Sequence, residues 1–153
     1  MQQATGNRAD QGGRKAAGFK GLLVWQSARE LSSMVYRATK SLKNSDSWLK
    51  SQVVRAAISV SANIAEGYGR GSKGDYLRFL EIARGSLCEV ENYLDFLAGE
   101  ELLPDSTLLQ LDEARVRTGN LLHGLIEATR RIANDSWSRG TRISDEHIAY
   151  EVD

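Results

Sequence analysis

The sequence predicts an all-α protein, an antiparallel up-down-up-down four-helix bundle. Three observations predict the bundle. Apolar residues recur at spacings of three and four through four long segments, only one proline (Pro104) interrupts 153 residues, and the connections between segments are short. That periodicity places residues on one side of a helix, and short connections make successive helices antiparallel neighbours.

The first segment predicts a helix from about Leu22 to Lys43, with Ala28, Leu31, Val35, Ala38 and Leu42 toward the core. At about 100° per residue, Arg29, Arg37, Lys40 and Lys43 fall within an arc of about 120° on nearly the opposite side, a basic outer face. The second helix is expected over about Ser47 to Glu66. One apolar face is Leu49, Val53, Ala56, Val60 and Ile64, and a second is Val54, Ile58, Ser61 and Ala65, so burial on both sides is expected. Between those faces runs a polar stripe, Gln52, Arg55, Ser59, Asn63 and Glu66, whose groups need partners in a neighbouring helix or subunit if buried.

Glycines in the run from Gly67 to Gly74 are expected to end this helix by admitting positive φ, and Ser72 with Asp75 reads as a capping box for the next. Gly69, Gly71 and Gly74 satisfy a GxGxxG spacing. That fingerprint has meaning only between a strand and a helix, so a helix-to-helix turn explains it better. The third helix, about Lys73 to Ala98, carries a coiled-coil-like seam of Tyr76, Leu80, Ala83, Leu87, Val90, Leu94 and Leu97. Phe79, Ile82, Tyr93 and Phe96 widen its apolar arc beyond the seam, which points to a hydrophobic oligomer interface. Gly99 is the expected stop, followed by Pro104 and a fourth helix over about Ser106 to Asn134. That helix turns Leu108, Leu111, Leu122, Leu125, Ile126, Thr129 and Ile132 inward, with His123 and Arg130 on its polar side.

The expected organisation is one domain, with a bundle over residues 20–135 between flexible extensions at 1–19 and 136–153. The net charge of zero conceals an asymmetry. Residues 1–84 hold 14 Lys/Arg against 6 Asp/Glu, and residues 85–153 hold 6 against 14. Such a split can guide self-assembly or present a local basic face, although the two halves of a bundle can also neutralise each other. The lone Cys88, the missing signal-peptide pattern and the lack of a membrane-length apolar run make a soluble cytoplasmic protein the expectation.

Catalytic and metal chemistry find little support. The two histidines, His123 and His147, do not follow an acidic residue by three positions, so the Glu-x-x-His pairs of a diiron bundle are missing. Cys88 reads as a small packing residue. Glu66, Glu81 and Glu89 are expected to pair with Arg55 or Arg78, and neither catalysis, metal nor cofactor is expected.

The runs SQVVRAAISVSANIAEGYGR (Ser51 to Arg70), YLRFLEIARGSLCEVENYL (Tyr76 to Leu94) and LLVWQSARELSSMVY (Leu22 to Tyr36) closely resemble one bacterial four-helix bundle family. It is the 23S rRNA-intervening sequence protein family, and Asn63 through Gly67, Arg78 to Leu80 and Gly85-Ser86 with Glu89 are the most specific pieces. The resemblance implies an up-down bundle assembled into a ring, a homopentamer, with no established activity for the family at large. A related branch, the accessory variability determinants of diversity-generating retroelements, consists of basic pentameric barrels that associate with a reverse transcriptase and its RNA. The neutral charge of this chain departs from that pattern.

The expected function is therefore a non-catalytic oligomeric adaptor that acts with RNA, DNA or a nucleic-acid enzyme through Arg29, Arg37, Lys40 and Lys43. The polar stripe with Arg78 would serve helix or subunit contacts. The alternative is a protein-binding scaffold without nucleic-acid contact, and no membrane role is expected.

Overall fold

The computed structural model describes residues 18–139. Four α-helices, α1 (Leu23–Ala38), α2 (Ser47–Tyr68), α3 (Lys73–Gly99) and α4 (Asp105–Arg139), make up the fold, with no strand among the described residues. Each helix packs against its neighbours in the chain, and α1 closes the bundle against α4. Direction follows from side-chain pairs. Trp48 meets Phe96, Ser59 meets Ser86, and Gly67 lies under Phe79, so α2 and α3 are antiparallel. Arg115 with Glu91 and Arg130 with Glu81 make α4 antiparallel to α3 in turn. None of the described helices is long and apolar enough to cross a membrane.

The core is the expected one: Leu31, Val35, Leu49, Val53, Val60, Ile64, Leu80, Val90, Leu97, Leu111, Leu122 and Ile126 are essentially inaccessible. Fully burying such a side chain stabilises the fold by about 1.5–3 kcal/mol. One polar pair crosses it. Thr118 Oγ1 donates to the Ala114 carbonyl at 2.8 Å, which leaves Ser27 to donate to Thr118 at 2.8 Å and tie α1 to α4.

The structure corrects several boundaries. α1 ends at Ala38, five residues before Lys43. Thr39 is buried with its hydroxyl on the Val35 and Tyr36 carbonyls, Thr39–Ser41 tighten into a 3-10 turn, and Leu42 turns extended. Serine and asparagine side chains in this stretch compete for backbone partners and favour turns over helix. A second 3-10 turn, Asn44–Asp46, leads into α2.

α2 continues to Tyr68, so Gly67 is helical and buried. Its glycine is demanded by close approach: a Cβ there would stand 2.8 Å from Phe79 Cβ and 3.0 Å from Tyr76 Cδ2. None of the glycines from Gly67 to Gly74 has positive φ. Ser72 caps α3 as expected, accepting from the Asp75 amide at 3.1 Å and donating to its carboxylate.

At the other end of α3, Gly99 is still helical and Glu101 takes the left-handed conformation, φ +52°. Amides of Glu101 and Leu102 bond the Ala98 and Leu97 carbonyls, a Schellman closure that offsets the roughly 1–2 kcal/mol cost of that conformation.

α4 runs through Arg139, past the expected boundary at 135, since no glycine or proline falls between Gly124 and Gly140. Residues Gly18–Gly21 form a 3-10 turn, and the rest of the extensions expected to be flexible lies outside the described residues.

Gly67→Ala should cost about 1–3 kcal/mol by overpacking the α2–α3 contact. In contrast, Gly85→Ala, where a Cβ meets nothing within 4 Å, should gain about 0.5–1 kcal/mol through helix propensity. Urea unfolding of the two variants checks the sign of each.

Candidate functional site

The early end of α1 divides the four cations. Arg29 and Arg37 lie on α1, Lys40 lies in the following 3-10 turn, and Lys43 precedes the next turn, so they do not form one helical face. All four are exposed. Arg29 Nη1 donates to Ser33 Oγ at 2.7 Å, and Lys40 Nζ stands 4.9 Å from the centre of the Tyr36 ring.

Among the described residues none of these four cations is paired with a carboxylate. The pattern elsewhere is different: Arg70 pairs with Glu66, Arg78 with Asp75, Arg84 with Glu81, Arg115 with Glu91 and Asp112, Arg117 with Glu30, and Arg130 with Glu81 and Glu127. Positive charge is thus neutralised in place at these six arginines. It is left unneutralised at the end of α1, and Lys50 in the first turns of α2 adds to it. The pairing of Glu66, Glu81 or Glu89 with Arg55 or Arg78 does not occur, because Arg70, Arg84 and Asp75 stand one turn away on the same helices or their ends.

A groove of about 480 Å³ runs between α1 and α2, lined by Arg29, Ser32, Ser33, Tyr36, Arg37, Ile58 and Ser61. Its apolar walls are Tyr36 and Ile58, both half-exposed, so the second face of α2 is only partly covered within one chain: Ser61 is buried and Val54 and Ala65 are half-buried, while Ile58 is open. On the α4 side Arg37 also borders a smaller cavity of about 390 Å³ with Met34, Ala38, Thr107, Gln110 and Leu111. Sequence reasoning passed over Tyr36. Its place one residue beyond core Val35 and next to Arg37, outside the inward register, was the available sign.

The polar stripe of α2 runs along its α3 side. Ser86 donates to the Ile82 carbonyl at 3.2 Å, leaving Ser59 to donate to Ser86 at 2.9 Å, and Asn63 Nδ2 donates to Ser59 O and Oγ. Arg55 Nη2 donates to Gln52 Oε1 at 3.1 Å. Asn63 and Ser59 therefore find partners inside the chain, bracing α2 against α3.

The expected hydrophobic interface is only partly open. Phe79 is 7% exposed, sealed by Gly67 and flanked by the Arg70 and Arg78 guanidinium groups, each 4.9 Å from its ring centre. It belongs to the bundle, because Gly67 lets α2 close over it. Tyr93 is half-buried, and Ile82 and Phe96 are exposed. Trp48, which the sequence did not single out, joins Phe96 edge-to-face at 6.4 Å and makes an aromatic pair on the outer α2–α3 surface. Cys88 is exposed and so is not the packing residue its sequence context suggested. Among the described residues no group of three or more His, Cys, Asp or Glu side chains could hold a metal ion.

Comparison with known proteins agrees with this architecture. The family model described as 23S rRNA-intervening sequence protein matches residues 20–124. A crystal structure from Bacteroides thetaiotaomicron VPI-5482, described as a protein with unknown function from the S23 ribosomal protein family, superposes with a TM-score of 0.64 at 24% identity. The match covers 68% of this chain and 98% of that one, and it establishes likeness of fold. No curated protein matches the chain.

Proposed function

The chain belongs to the 23S rRNA-intervening sequence protein family, and from that premise we propose that it is a non-catalytic, self-assembling adaptor that holds nucleic acid at the α1–α2 end of its bundle. The carrying observation is the cluster of Arg37, Lys40 and Lys43, exposed and without carboxylate partners, beside an exposed tyrosine. Phosphate oxygens suit such cations, and an aromatic face next to them can stack a base of a single strand without reading sequence. RNA is the favoured ligand, because its unpaired loops offer the splayed bases such a surface takes.

The assembly in this proposal is a ring, a homopentamer, whose copies multiply a weak interaction into an avid one. A balanced total charge favours local phosphate contacts over broad electrostatic wrapping. In a retroelement accessory role, association with a reverse transcriptase would then supply what charge alone does not.

If phosphate contacts carry binding, affinity for single-stranded RNA should fall steeply with salt. The Arg37→Ala, Lys40→Ala, Lys43→Ala variant should flatten the log–log slope by about 0.7 for each phosphate no longer neutralised. Salt-indifferent binding, or an unchanged slope in the triple variant, contradicts the reading.

A second reading, a scaffold for protein partners without nucleic acid, is favoured by the exposed Trp48–Phe96 pair with Ile82 on the same outer surface of α2 and α3. Aromatic groups of this kind anchor protein contacts. It predicts a co-purifying protein that no longer binds after Phe96→Ala or Ile82→Ala, with the fold intact by circular dichroism. Wild-type recovery of that protein by both variants counts against it.

A further inference from the structure

We propose that the α1–α2 groove is the seat for helix α4 of a second copy of this chain, with Leu109 and Val116 entering beside Tyr36 and Ile58. The inference rests on the reading of the chain as self-assembling and names the two surfaces that meet.

Leu109 and Val116 are 61% and 43% exposed, and seven residues apart they share one outward face of α4, about 10 Å apart along the axis. They form an apolar ridge that nothing in the bundle covers. Tyr36 and Ile58, 49% and 51% exposed, line the groove. A helix bearing i, i+7 anchors is the natural occupant of an apolar groove.

Charge selects the same pairing. Residues 85–114, the end of α3 and start of α4, hold eight Asp or Glu and no Lys or Arg. Glu91 and Asp112 are engaged by Arg115. Asp105 and Glu113, which flank the ridge, are exposed and carry no ion pair among the described residues. The groove offers Arg29 and Arg37, equally unneutralised. An acidic ridge with an apolar crest thus matches an apolar groove with a basic rim.

Groove and ridge occupy different parts of the surface, so the contact is heterologous: each copy gives its ridge to one neighbour and its groove to another. Repetition closes a ring when the rotation allows it. Within the ring Tyr36 and Arg37 pass to the contact with the neighbour's α4, so the nucleic-acid site narrows to Lys40 and Lys43, which lie outside the groove lining and recur at the same end of every copy as a shared basic rim.

Two full-length surface variants test this by solution mass from light scattering. Ile58→Glu spoils the groove and Leu109→Glu spoils the ridge, and each should be monomeric with a wild-type helical spectrum. Mixed, they should yield a one-to-one dimer and nothing larger, since only one intact groove and one intact ridge remain between them. Wild-type mass for either variant, or a mixture that stays monomeric, overturns the proposal.

An Ile58→Glu variant that keeps wild-type mass but loses RNA affinity would assign the groove to nucleic acid instead, again overturning it. Loss of the RNA salt slope with the mixing result intact would defeat only the nucleic-acid reading. A monomeric wild type would defeat self-assembly itself, and this pairing with it.

Discussion

The close approach of α2 to α3 is the contact on which the rest of the bundle depends. At Gly67 the two backbones come near enough that a single methyl would collide with Phe79. That contact fixes one end of the pair, the Ser59–Ser86 hydrogen bond its middle, and the Trp48–Phe96 edge contact the other end. With register pinned at three points, the inward residues of α3 are committed to one face. α4 then lies against it where Gly119 faces the Leu87 side chain. The buried Ser27–Thr118 bond closes α1 onto α4, and because either hydroxyl left alone would be an unsatisfied polar group, it specifies alignment as well as contact.

The surface inherits its character from this topology. Up-down connectivity carries the end of α1 and the start of α2 to the same end of the bundle as the end of α3 and the start of α4. Cyclic packing then sets the basic end of α1 and start of α2 opposite the acidic end of α3 and start of α4. Charges that balance in the total are therefore separated in space. Carboxylates pair with Arg78, Arg84, Arg115, Arg117 and Arg130 on α3 and α4 but not with the cations at the end of α1. The open apolar residues follow the same division, with Tyr36 and Ile58 on one side and Leu109 and Val116 on the other.

Much of this was legible in the sequence, and the exceptions have physical causes. Helix number, order, capping at Ser72 and nearly every core position follow from spacing alone, because burying one face is the dominant favourable term and spacing encodes it directly. Helix ends were less legible. Lys43 reads as helical by spacing, yet a buried Thr39 hydroxyl bonded to Val35 and Tyr36 accompanies an earlier stop. Gly99 reads as the stop of α3, yet Glu101 takes the left-handed position because the backbone bonds of the closure fall beyond it. The basic site was half legible for the same reason, since its composition holds but its single helical face does not. Phe79 looks like excess apolar surface on a helical wheel and becomes core only once Gly67 lets α2 close over it. Tyr36 and Trp48 acquire meaning only beside residues distant in the chain.

In this proposal the isolated bundle is a building block, with exposed apolar and unneutralised charged surfaces that complement each other between copies. Sedimentation equilibrium of the full chain across a range of protein concentrations and salt tests this most directly. The expected result is an assembled species, a ring of defined mass, that loosens toward monomer as salt screens the charged rim. A single species at the 16.9 kDa chain mass under all conditions would contradict it.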